Sequence, residues 1–134
     1  MHEFSLVTAL LNQVSELMRQ HQAERVVSIR VNVGAFCGVD PELFRIAYNI
    51  LVDTSPAHGA QLRLEHLPLE SRCDNCGHRF ANEYYCFVCP ACKSKDVTVV
   101  RGEDLVLDSL TLEQSEASIA TQLNNQPIQA DSTS

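Results

Sequence analysis

Apolar residues recur every three or four positions near the start of the chain, which is the pattern of an amphipathic helix. The sequence predicts this helix from about Ser5 to Gln22. Its apolar side consists of Leu6, Val7, Leu10, Leu11, Val14, Leu17 and Met18. The pattern then changes to strict alternation from Val27 to Val33, which is typical of a strand with one buried face. A helix followed by a half-buried strand therefore opens the fold.

A second helix is predicted to begin after Asp40, which is followed by Pro41 and Glu42. An acidic N-cap, a proline in the first turn and a further acid near the positive end of the helix dipole are three start signals. The apolar side of this helix is predicted to hold Leu43, Phe44, Ala47, Ile50 and Leu51.

Alternation returns from Gln61 to His66, which predicts a second strand. A third strand is predicted from Val97–Val100 and Leu105–Leu112, bent or paired as a hairpin around the turn at Gly102. We therefore expect an α+β fold in which two helices pack on a small mixed three-stranded sheet.

The same pattern suggests how the chain divides. Residues 1–71 together with 97–112 form the predicted α/β domain, and residues 72–96 form an inserted zinc-ribbon module. Residues 113–134 are rich in Gln, Ser, Asn and Thr, and this composition predicts a disordered polar tail.

The inserted segment contains two Cys-x-x-Cys pairs, Cys73 with Cys76 and Cys89 with Cys92. This spacing matches sites in which four thiolates hold one tetrahedral Zn(II). Disulfides are the alternative, but the first twenty residues show no basic leader, apolar core or cleavage signal of a secreted protein. We therefore expect a structural zinc site, which leaves no coordination position for a catalytic water.

Two further cysteines leave the ligand choice open. Cys86 forms a third Cys-x-x-Cys with Cys89, yet Pro90 shapes the loop that follows Cys89 and favours Cys92 as its partner. Cys86 is then a spare thiol in or beside a strand predicted from Tyr84 to Val88. Cys37 stands alone and is expected to be a small buried apolar residue.

Composition narrows the function. The chain has 134 residues, 45% hydrophobic residues and a formal net charge of −7. This size suits one domain with a small appendage. No apolar run is long enough for a membrane span, so we expect the protein in the cytoplasm. Because phosphate binding requires clustered positive charge, the acidity disfavours DNA or RNA as a partner.

The chain begins Met1-His2-Glu3. The terminal amine, the His2 amide nitrogen and the His2 imidazole can form fused chelate rings around one ion, in the planar nitrogen geometry that suits Ni(II) or Cu(II). Taken alone, a histidine near the start is commonly an exposed, flexible side chain, and Glu3 is equally explained as a solvated acid at a helix start.

Four features together resemble the HypA/HybF family of hydrogenase-maturation nickel chaperones. They are the N-terminal triplet, the amphipathic helix, the Val33–Phe36 segment that closes the first strand, and the two cysteine pairs, which occur in that order over roughly residues 1–112. The resemblance implies transferable Ni(II) bound through Met1, His2 and Glu3. It also implies structural Zn(II) bound by Cys73, Cys76, Cys89 and Cys92.

The resemblance further implies a non-enzymatic carrier that delivers nickel to the large-subunit precursor of a [NiFe]-hydrogenase, with the GTPase HypB as a partner. Asp40 resembles an acid implicated in some relatives, although an N-cap role explains it as well. The alternative function is a zinc-ribbon module that binds protein or nucleic acid without nickel transfer. The oligomeric state stays open.

Overall fold

The structure is a computed structural model that describes residues 2–82, 86–114 and 117–128. It contains the two predicted helices, α1 at His2–Gln20 and α2 at Pro41–Leu51, the second followed by a short 3-10 helix at Val52–Thr54. Helix α1 thus begins three residues before the predicted start. Neither described helix is long and apolar enough to cross a bilayer.

The main sheet has four strands in the order β2-β1-β6-β7. The strands are β1 at Arg25–Gly34, β2 at Gln61–Leu67, β6 at Leu105–Gln114 and β7 at Ala117–Pro127. Strand β1 pairs with β2 in parallel and with β6 antiparallel, so the sheet is mixed. The predicted α+β fold with two helices and a small mixed sheet is confirmed, and β7 enlarges that sheet from three strands to four.

The core lies between α1, α2 and one face of this sheet. The α1 residues Val7, Leu10 and Val14 are fully buried, together with Ile29 and Leu107 from the sheet. Alternation predicted that Val27 lies on the buried face of β1, but Val26 is buried and Val27 is half-buried. The cause is a shift in the pairing with β6 between Val26 and Ser28. A bulge of this kind reverses the inside and outside faces of a strand.

Helix α2 is rotated relative to its predicted apolar side. Phe44, Ala47 and Tyr48 face the core, whereas the predicted core residues Leu43 and Ile50 are exposed by 49% and 57%. Because α2 carries apolar residues on two sides, its periodicity did not determine which side is buried.

A second, smaller sheet carries the cysteine pairs. It comprises β3 at Glu70–Cys73, β4 at Arg79–Ala81 and β5 at Val97–Arg101, in the order β4-β3-β5. Strand β5 was expected to be part of the main sheet, but it pairs with β3 instead. The small sheet therefore extends beyond both ends of the insertion expected at residues 72–96. The predicted strand Tyr84–Val88 falls partly outside the described residues, and residues 86–88 are not in a strand.

In place of the expected disordered tail, residues 113–114 and 117–127 lie in strands. Strand β6 continues to Gln114, and Ala117–Pro127 forms β7, which pairs antiparallel with β6 on both sides of a register shift between Leu107 and Ser109. The polar composition concealed this strand, because main-chain pairing with an existing edge requires no apolar periodicity. Residues 129–134 lie outside the described residues.

The two sheets are joined where their connecting segments meet. Gly34 donates its N–H to the Asp104 carbonyl at 3.0 Å, and Phe36 donates to the Gly102 carbonyl at 2.7 Å. The Phe36 ring also contacts the Phe87 ring of the cysteine segment, with centroids 6.2 Å apart. The end of β1 is thereby linked to the segment that carries the cysteines.

Candidate metal centres

The structure brings the two predicted cysteine pairs together at one end of the small sheet. The sulfur atoms of Cys73, Cys76, Cys89 and Cys92 all lie within 4.8 Å of one another. The Cys73–Cys92 and Cys76–Cys89 sulfur pairs are 3.5 Å and 3.6 Å apart. A tetrahedral ion with metal–sulfur bonds of 2.3 Å requires sulfur separations of roughly 3.8 Å. The four thiols are therefore close to the geometry of one tetrahedral metal site.

Each pair lies on the same kind of turn. Gly77 donates its N–H to the Cys73 carbonyl, and Lys93 donates to the Cys89 carbonyl, both at 2.9 Å. The residue after the second cysteine has a positive φ in both turns, 79° at Gly77 and 65° at Lys93. Glycine at position 77 adopts this conformation without strain. Repeating one turn twice presents two sulfurs from each side of the site.

Backbone and side-chain groups around the sulfurs hold them in place. The Cys76 N–H points to the Cys73 sulfur at 3.4 Å, and the Asn75 amide nitrogen lies 3.7 Å from the Cys92 sulfur. Cys73 and Cys89 are buried, whereas Cys76 and Cys92 are exposed. The sequence analysis did not predict that Asn75 contacts a sulfur of the second pair. Its position between Cys73 and Cys76 could have indicated this, because a polar side chain there can reach the opposite sulfurs.

The pKa values of Cys76, Cys89 and Cys92 shift in different directions. The His78 N–H lowers the pKa of Cys76, but burial and the sulfurs of Cys89, Cys92 and Cys73 outweigh it and raise that pKa to about 12. Burial raises the pKa of Cys89, yet hydrogen bonds from the N–H groups of Cys92 and Ala91, together with the sulfurs of Cys76 and Cys92, bring it below its usual value. The Ser94 N–H and the Asn75 amide lower the pKa of Cys92. Since metal ligation requires thiolates, binding a cation here displaces protons.

The remaining two cysteines lie outside this cluster. Cys86 is exposed, and its carbonyl accepts a hydrogen bond of 2.8 Å from the Asn82 side chain. Cys37 packs against the edge of the core but is half-buried, and not buried as predicted. The expectation that Cys92, and not Cys86, joins Cys89 agrees with the sulfur positions.

The predicted nickel residues lie at the start of α1. His2 is the first residue of the helix and is exposed, and Glu3 is half-buried. An α-helix leaves its first N–H groups without intrahelical partners, so the backbone nitrogens of His2 and Glu3 have no helical bond to lose. Met1 lies outside the described residues.

Asp40 acts as a helix cap. Its carboxylate accepts the N–H groups of Glu42 at 2.9 Å and Leu43 at 3.4 Å, as expected for an N-cap. Its own N–H donates to the Glu3 carboxylate at 3.4 Å. The starts of the two helices are therefore adjacent.

His2 lines a cavity of about 340 Å³. Its other walls include Cys37, the acids Glu103 and Asp104, and Ile128. These residues come from four separate parts of the chain, so sequence spacing gave no indication that they surround His2. His2 and the acidic residues Glu103 and Asp104 therefore line the same cavity.

Residues 1–112 match the family model described as "Hydrogenase/urease nickel incorporation, metallochaperone, hypA". The chain belongs to the HypA family. A hydrogenase maturation factor HypA of Aquifex aeolicus is 34% identical over 113 residues, which cover 84% of this chain and 98% of that protein. One of Shewanella baltica is 32% identical over 116 residues, which cover 87% of this chain and 99% of the relative.

Solved structures of HypA proteins share the fold. The solution structure of the Ni metallochaperone HypA from Helicobacter pylori aligns with a TM-score of 0.65 at 30% identity, covering 84% of this chain and 98% of that one. A second HypA solution structure aligns with a TM-score of 0.69 at 29% identity, covering 87% and 98%. As a member of this family, the chain is a nickel-incorporation metallochaperone and not an enzyme.

Proposed function

We propose that this chain binds Ni(II) through Met1, His2 and Glu3 and passes it to the large-subunit precursor of a [NiFe]-hydrogenase. The position of His2 carries the proposal: it is exposed, opens α1 and follows the N-terminal residue in a chain of the HypA family. Amine, amide and imidazole nitrogens form a planar donor set that suits Ni(II).

A terminal chelate also suits transfer. In such a chelate, an acceptor can replace the amine, amide and imidazole donors one at a time without unfolding the carrier. The neighbouring acids Glu103 and Asp104 give the cavity negative charge that favours a divalent cation.

The four-cysteine cluster is proposed to hold structural Zn(II). Four sulfurs within 4.8 Å of one another match the donor set of closed zinc sites. Such a site fixes the small sheet and leaves nickel to the N-terminus. Zinc and nickel are thus kept apart by donor type and geometry.

Nucleotide hydrolysis must come from a partner, and the GTPase HypB is the one that we propose. The sequence has five glycines and contains no Gly-x4-Gly-Lys-Ser/Thr motif for phosphate binding. We place this delivery in the cytoplasm.

The decisive experiment is a nickel titration of untagged, zinc-loaded protein by calorimetry. His2→Ala and a variant with two residues added before Met1 should each weaken Ni(II) binding at least about tenfold, since both destroy the ring system between amine and imidazole. Zinc content serves as the control and should stay unchanged in both. Normal nickel binding by the extended variant would refute the terminal chelate.

A further inference from the structure

Strand β7 is an addition to the family fold. The family match ends at Leu112, and alignments with the relatives above cover 98% and 99% of those proteins but only 84% and 87% of this chain. The segment 117–128 therefore lies beyond the part of the chain that the family shares. In the structure it occupies one side of the main sheet.

Without β7, β6 would be an edge strand with a row of unpaired main-chain groups. It is ten residues long, and five of its residues are buried apolar side chains: Leu105, Val106, Leu107, Leu110 and Leu112. A long apolar edge strand is a template for pairing with another chain. β7 covers this edge from Val106 to Gln114.

The end of the extension is fixed to the domain. Ile128 is only 5% exposed, belongs to the core and donates its N–H to the Leu105 carbonyl at 2.9 Å. The Pro127 carbonyl accepts a hydrogen bond of 3.0 Å from the Gln13 side chain of α1. These contacts anchor the extension across the first residues of β6.

We propose that the β6 edge is a self-association surface, and that the segment 117–128 keeps the protein monomeric by occupying it. A second copy of β6 fits this edge. Two identical antiparallel strands can pair about a two-fold axis, which gives a closed, isologous dimer. With Leu110 opposite its own copy across the axis, Ser109 lies opposite Thr111, so no acid lies at the centre of the pair.

The test compares two truncations by size-exclusion chromatography with light scattering across the micromolar range. A chain that ends at Gln114 should double in mass, whereas a chain that ends at Ile128 should remain monomeric like the full-length protein. A synthetic peptide of residues 115–128 should return the shorter chain to the monomer. A folded, zinc-loaded chain ending at Gln114 that stays monomeric would overturn the proposal, as would a dimeric full-length protein.

A full-length variant covers the case in which the shorter chain fails to fold. Ile128→Asp places a carboxylate in the core and should detach the end of the extension, which shifts the mean mass towards that of the dimer. An unchanged mass would count against the proposal. Hydrogen exchange locates the contact: β6 amides should stay protected in the dimer, and rapid exchange there would assign the association to another surface. Nickel titration of the same proteins reports on the N-terminal chelate independently.

Discussion

At the scale of single residues, the structure separates two roles for Asp40. Its carboxylate already accepts two N–H groups at the start of α2. A carboxylate engaged in this way can be replaced by an asparagine side chain, which caps helices equally well but is a much poorer ligand.

We therefore predict that Asp40→Asn leaves stability and Ni(II) affinity close to those of the wild type. Asp40→Ala should lower the free energy of unfolding by about 1 kcal/mol, as expected for a lost N-cap, and leave nickel binding unchanged. Denaturant unfolding and calorimetry measure the two quantities. If Asp40→Asn weakened nickel binding as strongly as His2→Ala, the carboxylate would be a metal ligand.

Tyr48 makes the stability of the fold sensitive to high pH. Its side chain is buried in α2, its hydroxyl donates to the Ala60 carbonyl at 2.8 Å, and burial raises its pKa from 10.0 to about 12. The folded state therefore holds the phenol proton more tightly than the unfolded chain. The resulting stabilisation is complete below pH 10 and is lost as the pH rises towards 12.

The predicted outcome is that Tyr48→Phe unfolds with a weaker pH dependence than the wild type between about pH 10 and 12. At neutral pH the variant should be less stable by about 1 kcal/mol, because the Ala60 carbonyl loses its buried donor. Denaturant midpoints measured at several pH values check both effects. Parallel pH profiles for the two proteins would show that another group governs alkaline unfolding.

At the scale of elements, we expect the small sheet to depend on the metal proposed for the cysteine cluster and the main sheet not to depend on it. The small sheet has three short strands, and Cys73 ends β3. The main sheet forms its own strand pairs and encloses the apolar core. We therefore expect metal binding and local folding to be coupled in β3–β5 alone.

Cys73→Ala should consequently release zinc and expose the β3–β5 amides to rapid hydrogen exchange, while β1 and β6 stay protected. Cys86→Ala is the matched control, because its sulfur is outside the cluster, and it should retain zinc and the wild-type exchange pattern. Metal analysis measures the zinc content, and hydrogen-exchange mass spectrometry measures the protection of the amides. Loss of protection throughout the protein in Cys73→Ala would mean that the two sheets unfold together.

Apolar periodicity predicted α1, β1, β2 and β6, because apolar residues recur at helix or strand spacing over most of each element. It was less informative for elements whose position depends on pairing. Strand β5 alternates as expected of a strand, but whether it joins β3 or the main sheet depends on contacts between distant residues. Strand β7 has few apolar residues and pairs through its backbone. The cysteine cluster was readable from spacing, whereas the cavity beside His2 required the tertiary fold.

At the scale of the whole molecule, the main sheet, on which α1 packs, and the small sheet, which carries the cysteines, meet at two glycines. A Cβ atom at Gly34 would lie 2.5 Å from the Gly102 carbonyl carbon, and one at Gly102 would lie 2.6 Å from the Pro68 carbonyl oxygen. Gly34 ends β1, and Gly102 lies between β5 and β6. The backbone segments are therefore packed as closely as glycine allows, which fixes how one sheet is attached to the other.

Gly102→Ala tests this junction. Its φ of 97° is strained for alanine, and the added methyl group would collide with the backbone of Pro68 and Leu69, which cannot move as a side chain can. We expect a loss of about 3 kcal/mol or more in the free energy of unfolding. Gly38→Ala separates the two causes, because its φ of 75° is similar but nothing lies within 4 Å of the new Cβ. This control should cost only about 1 kcal/mol in denaturant unfolding. Equal losses in the two variants would show that backbone conformation, and not close packing, is what the junction requires of Gly102.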